Sequence, residues 1–241
     1  MRRAAVSRAL LVLGLTTLAA LPLAALALSG HVTNISGAVV ARQPDGASRL
    51  LSMRSEVNEG DLLVTADNSY ARVKFTDGSE VVMRPGSQLK IEAYRYEERN
   101  PERDGFVLSL LKGGMRSVTG LLARRNPARA SYTTPTATIG IRGTHFGALL
   151  CANDCANVPS PGGGPPANGL HVDVADGRIV VTTPAGAREF SVGQFGFVAS
   201  PAAVPVPVPA GQGIRATLPP QATVARIGGG LGRAGERECR I

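Results

Sequence analysis

Residues 133–144, Thr133-Thr134-Pro135-Thr136-Ala137-Thr138-Ile139-Gly140-Ile141-Arg142-Gly143-Thr144, decide how the rest of the chain is read. Pro135 and the Thr-rich alternation disfavour a helix and favour an extended segment. Gly140 and Gly143 frame Arg142 where the backbone can turn sharply or approach another surface. An arginine held in this way needs acceptors or solvent for its guanidinium donors. No catalytic signature has this order of residues, so the segment points to binding or signalling.

On both sides of it, from Val32 to about Ser200, short runs rich in Val, Ile and Thr are broken by Gly, Pro, Asn or Asp. Turn signals at about eight- to twelve-residue spacing mark an all-β fold, a compact sandwich or a short solenoid-like stack. The strands read as short pieces, among them Gly105–Lys112 and Gly114–Thr119, Thr138–Ile141 and Thr144–Leu150, and His171–Val174 and Gly177–Thr183. Helical periodicity is confined to a turn near Gly120–Arg125.

One hairpin can be read in register. A two-residue turn at Asp77-Gly78 would put Glu80 beside Phe75 on one face. A three-residue loop, Thr76-Asp77-Gly78 with Gly78 left-handed, sets Lys74 opposite Glu80 outside, with Val73 facing Val81 and Ala71 facing Met83 inside. Residues 30–47, GHVTNISGAVVARQPDGA, also echo residues 170–187, LHVDVADGRIVVTTPAGA, without gaps. The reading is one supersecondary unit used twice, each copy a hairpin turning at Gly37 or Gly177 with a second turn at Pro44–Gly46 or Pro184–Gly186.

The ends read differently. Arg2, Arg3 and Arg8, the apolar run Leu10–Leu28 and the small residues Ala25-Leu26-Ala27 form an export signal over residues 1–27. The expected location is periplasmic or secreted, with an uncleaved anchor in the inner membrane as the alternative. Beyond Leu28 no apolar stretch is long enough to cross a bilayer. Without residues 1–27 the net charge falls from +8 to +5. That mild, scattered excess and an aromatic content of 4 % argue against nucleic-acid binding. The folded domain is expected over residues 28–200. The Pro-Val alternation of Pro201–Pro209 and the glycine- and arginine-bearing remainder form a flexible tail over residues 201–241.

Cys151 and Cys155 can close a small disulfide-pinned loop in an oxidising compartment. A metal or redox site is the competing reading, but His31, His145 and His171 lie at no ligand spacing, and no cofactor is expected. Cys239 is left over and could bridge two copies.

These pieces, taken in order, resemble the FecR family, whose shared domain is a periplasmic all-β sensor module. The matching positions are Gly37, Gly60-Asp61, Asn68-Ser69 before Ala71–Phe75, Asp77-Gly78-Ser79, Pro85-Gly86-Ser87, Leu110–Gly114, Thr134-Pro135 and Ile139–Thr144. In family members that act as anti-sigma regulators, a cytoplasmic segment holds a sigma factor. Here nine residues precede the apolar run, too few for such a segment, so the resemblance implies a stand-alone exported form that binds another envelope protein.

Gly60-Asp61, Asp77-Gly78-Ser79 and Pro85-Gly86-Ser87 read as turn chemistry that specifies the fold. Arg142 and Thr144 are the candidate binding residues. Arg142 either locks a strand crossing through backbone carbonyls or an acid such as Asp61, or anchors a partner. The alternative function, cell-wall glycan or polysaccharide binding, would need aromatic platforms, for which Tyr94 and Tyr96 are the candidates. No nucleophile elbow or paired carboxylates appear, so the chain reads as non-catalytic.

Overall fold

The Asp77-Gly78-Ser79 turn folds as side-chain alternation requires. Gly78 has φ +82°. Its N–H donates to Phe75 O at 3.0 Å, and Phe75 N–H donates to Ser79 O at 2.9 Å. The flanking strands pair Lys74 with Glu80, Val73 with Val81 and Ala71 with Met83. The two inward pairs are fully buried and Lys74 is exposed.

The structure is a computed structural model that describes residues 28–218. The export signal assigned to residues 1–27 and Cys239 lie outside the described residues. The strands in chain order are β1 (Leu28–Ser36), β2 (Val39–Arg42), β3 (Ser48–Leu50), β4 (Glu56–Asn58), β5 (Leu62–Thr65), β6 (Tyr70–Phe75), β7 (Glu80–Met83) and β8 (Gln88–Arg95). They continue with β9 (Gly105–Val118), β10 (Ala130–Thr133), β11 (Thr138–Cys151), β12 (Gly169–Thr183), β13 (Gly186–Ser191), β14 (Phe195–Val198) and β15 (Val206–Val208). The turn expected at Gly120–Arg125 is a short helix, α1 (Leu121–Arg125).

All of these strands join one continuous hydrogen-bonded sheet, which is the all-β architecture expected from the sequence. The sheet bends because its longest strands change partners partway along. Residues 105–112 of β9 pair with β8 and β10, whereas 113–118 pair with β7 and β11. The register of β11 against β12 shifts between Arg142 and His145. Left-handed glycines mark the bends: Gly37, Gly113, Gly143 and Gly177 have φ +72°, +74°, +57° and +70°.

Two arms of the sheet thereby face one another. The first holds β4, β1, β6, β7, the later part of β9 and β11, the earlier part of β12, β14 and β15. The second holds β3, β2, β5, β8, β10, β13 and the remaining halves. A file of rings lies between the arms, crossing from Phe75 to Tyr94 at 5.1 Å and from Tyr132 to Phe146 at 5.1 Å, with Phe106 to Tyr132 at 5.3 Å within the second arm. Such tilted and edge-to-face contacts add to the stabilisation from burial alone.

Three expectations are corrected. The pieces Gly105–Lys112 and Gly114–Thr119 are one strand, as are the two pieces of β11 and the two of β12. A left-handed glycine bends a strand without ending it when partners on both sides keep the ladder going. Gly177 is such a corner within β12, and Gly37 is one between β1 and β2, which do not pair with each other, so neither is a hairpin tip. The repeated unit is real, but its hairpins turn at Pro44 and Pro184, closing the β2–β3 and β12–β13 pairs. In each copy a later strand lies on the half before the corner, with Gly30 opposite Val57 and Leu170 opposite Val198.

The third correction concerns the end of the folded unit, which was expected near Ser200. β15, Val206-Pro207-Val208, pairs with β14 at an edge, where proline's missing N–H is tolerated. Ile214 and Ala216 are buried. The segment from β15 to residue 218 therefore packs on the first arm, while Ala203 O accepts from Thr183 Oγ1 at 2.9 Å on the second.

Candidate functional site

The turn motifs are structural hubs. Asp77, 2 % exposed, accepts through Oδ1 from Ser79 Oγ at 2.6 Å, Ser79 N–H at 3.1 Å and Tyr94 OH at 3.0 Å. Its Oδ2 accepts from Leu122 N–H at 3.3 Å, and its carbonyl from Leu121 N–H at 2.9 Å, tying α1 to the β6–β7 turn. Burial, and then the Asp77 charge, push the Tyr94 phenol well above its usual pKa, so it stays a hydrogen-bond donor. Tyr94 lies in the core and Tyr96 is partly buried under the Arg125 guanidinium. Neither ring is an open glycan platform, because the core claimed one and a cation covers the other.

Gly60, φ +89°, delivers Asp61 to a buried position where Arg49 Nη2 lies 2.8 Å from Oδ2 and Asn58 N–H donates at 3.1 Å. Asp61 is thus held by Arg49, and the expected Arg142–Asp61 lock does not form. Thr134 Oγ1 accepts from Thr136 and Ala137 N–H and donates to Ala137 O at 2.9 Å, so Thr134-Pro135 makes the tight turn between β10 and β11. Cys151 and Cys155 form a disulfide at 2.06 Å that closes the loop after β11.

Arg142 and Thr144, close in sequence, are separated by the Gly143 corner. Thr144 is 3 % exposed and its N–H bonds Thr119 Oγ1 at 2.8 Å, which removes it from any partner surface. Gly140 sits in unstrained strand backbone. Arg142 is exposed on the outer face of the second arm and has no hydrogen bond or ion pair among the described residues. Directly opposite it on β12 stands Arg178, whose Nη1 reaches Glu189 Oε1 at 3.5 Å. Like charges facing each other across a strand pair are unfavourable, and Glu189 relieves only Arg178. Beside Arg142 lies a groove of about 490 Å³ lined by Ala130, Ser131, Gly140, Val180 and Thr182.

Sequence reasoning missed a second cluster, on the first arm. Arg116 on β9 places Nη1 2.9 Å from Asp173 Oδ2 on β12. Arg116 Nε donates to His145 Nε2 at 3.2 Å, and Asp173 Oδ1 accepts from Ala216 N–H at 3.0 Å. The signal was there to find: Arg116 and Asp173 are single charges inside apolar strand runs. Among the described residues no cluster of His, Cys, Asp and Glu could hold a metal, and no helix is long and apolar enough to cross a membrane.

Residues 61–158 match the family model described as FecR protein. Two crystal structures of a candidate anti-sigma factor from Parabacteroides distasonis align at 13 % and 14 % identity with TM-scores of 0.44 and 0.45. Each alignment covers 61 % of this chain and 58 % of the other, so the chain spans under two thirds of their length. A cell surface anchoring domain aligns at 24 % identity and TM-score 0.25, over 25 % of this chain and 80 % of its own. No curated protein matches the chain.

Proposed function

We propose that this chain is a non-catalytic, exported FecR-type module that senses or signals by docking another envelope protein against the outer face of its second arm. The observation that carries the reading is Arg142, an exposed arginine on a rigid strand, unpaired among the described residues and with Arg178 facing it. A carboxylate on a partner would relieve that repulsion, and arginine is enriched at the energetic centres of interfaces. The groove beside Arg142, floored by small residues, would let a partner's backbone approach closely. The Cys151–Cys155 disulfide is consistent with an oxidising compartment, periplasmic or extracellular.

Crosslinking in the native envelope, comparing the natural chain with Arg142→Glu, tests the reading. Lost capture of a specific protein with an unchanged melting temperature is the expected result. Retained capture, or a melting temperature that drops with it, rejects the docking role.

A further inference from the structure

A second cavity, of about 530 Å³, opens between the Pro85-Gly86 turn and the disulfide loop, and shares no lining residue with the Arg142 groove. Its frame is fixed by backbone. Arg84 N–H donates to Gly114 O at 2.9 Å and Thr65 Oγ1 donates to Arg84 O at 2.6 Å. Ser87 Oγ bonds both the N–H and the carbonyl of Gly114 at 2.9 Å. The opposite wall is the loop pinned by Cys151–Cys155, with Val158 N–H donating to Cys155 O at 3.0 Å.

Two charges line this cavity without pairing to each other or to any other described residue. The Arg84 guanidinium has its Nε enclosed with no acceptor, and Arg84 makes no ion pair among the described residues. Burial lowers its pKa. Asp67 lies over Gly86, its Oδ1 3.7 Å from where a β-carbon there would stand, and its carboxylate likewise has no partner among the described residues. By contrast, the other two charges of the lining, Lys112 and Asp154, lie 3.8 Å apart and offset one another. A desolvated cation without an acid is unfavourable until an anion reaches it, and guanidinium suits a carboxylate. A molecule carrying both a carboxylate and an ammonium would satisfy Arg84 and Asp67 together. The volume is that of an ordinary small-molecule site.

The geometry points to a binding site for a small zwitterion, a free amino acid or short peptide, with Arg84 taking the carboxylate and Asp67 the ammonium. The site goes beyond the docking role of Arg142 and stands whether or not that role does.

Calorimetric titration of the full chain with L-alanyl-L-alanine, its C-terminal amide, its N-acetyl derivative, free alanine and inorganic phosphate tests the assignment. The dipeptide or alanine is expected to bind, and either blocking group, Arg84→Gln or Asp67→Asn, to weaken binding about tenfold or more. Asp67 is exposed, so its variant keeps the test open should Arg84→Gln fail to fold. No binding of either zwitterion, equal binding of the blocked forms, phosphate binding as tightly, or unchanged affinity in a folded Asp67→Asn would each overturn it.

Discussion

Arg116 and Asp173 meet across an intervening strand: Nη1 lies 2.9 Å from Oδ2, over Gly147 of β11. The contact is possible because Gly147 has no side chain; a β-carbon there would stand 2.3 Å from Asp173 Oδ1. The pair holds more than itself. Asp173 Oδ1 takes the N–H of Ala216, so a buried ion pair clips residues 213–218 onto the outer face of the first arm. Gly213 lies against the Phe195 ring and Arg215 stacks over it at 5.2 Å, while Leu218 packs on Tyr70 and Val82.

Removing one member of a buried pair strands the other, so Asp173→Ala should cost roughly 3 kcal/mol or more of unfolding free energy. Urea denaturation measures this, and hydrogen exchange at Ala216 should speed up in parallel. A loss below about 0.5 kcal/mol, the ordinary range for a surface change, would mean that the clip carries no weight.

Two left-handed glycines should differ in cost. Gly78 has φ +82° and open space where a β-carbon would stand, so Gly78→Ala bears backbone strain alone, about 1 kcal/mol. At Gly177 a β-carbon would lie 2.1 Å from Gly143 O, so the β11–β12 corner must also move apart. Gly177→Ala is expected to exceed about 2 kcal/mol, and equal thermal shifts for the two variants would contradict the corner's tight packing.

Asp77 gathers the Ser79, Tyr94 and Leu122 donors in a buried site. Asp77→Ala leaves them without an acceptor and should destabilise by roughly 2–4 kcal/mol, measured by chemical denaturation. Exchange at the Leu122 amide should rise as α1 loosens. A near-neutral effect would show that the motif is a turn signal only.

Acid should weaken the fold through His145. Burial, and then the neighbouring Arg116 charge, hold its pKa below the ordinary value, while Asp173 and Asp176 pull the other way. Donation from Arg116 Nε to His145 Nε2 requires that nitrogen unprotonated. The unfolded chain therefore binds this proton more readily than the native one, and stability falls as pH drops through about 6.5. His171, lowered mainly by burial, acts in the same direction. The melting temperature should decrease from about pH 7 to about pH 5.5, less steeply in His145→Gln; an identical slope in that variant would remove His145 from the account.

The sequence by itself determined the local structure. Asp77-Gly78-Ser79 and the period-2 alternation around it specified a turn, a register and an inward face, because a one-residue slip would expose Val73 and Val81 together. Cys151 and Cys155, too close in sequence to need help from the rest of the chain, specified their own loop. Only the tertiary structure decided what the glycines do at Gly37, Gly113, Gly143 and Gly177. A left-handed residue is a hairpin tip or a corner according to whether distant strands continue the ladder beyond it, and those strands lie far away in the sequence. The same holds for charge. Arg49 took Asp61, Asp173 took Arg116, and Arg142 and Arg84 were left without an acid among the described residues, because pairing depends on which side chains the bent sheet brings within a few ångströms.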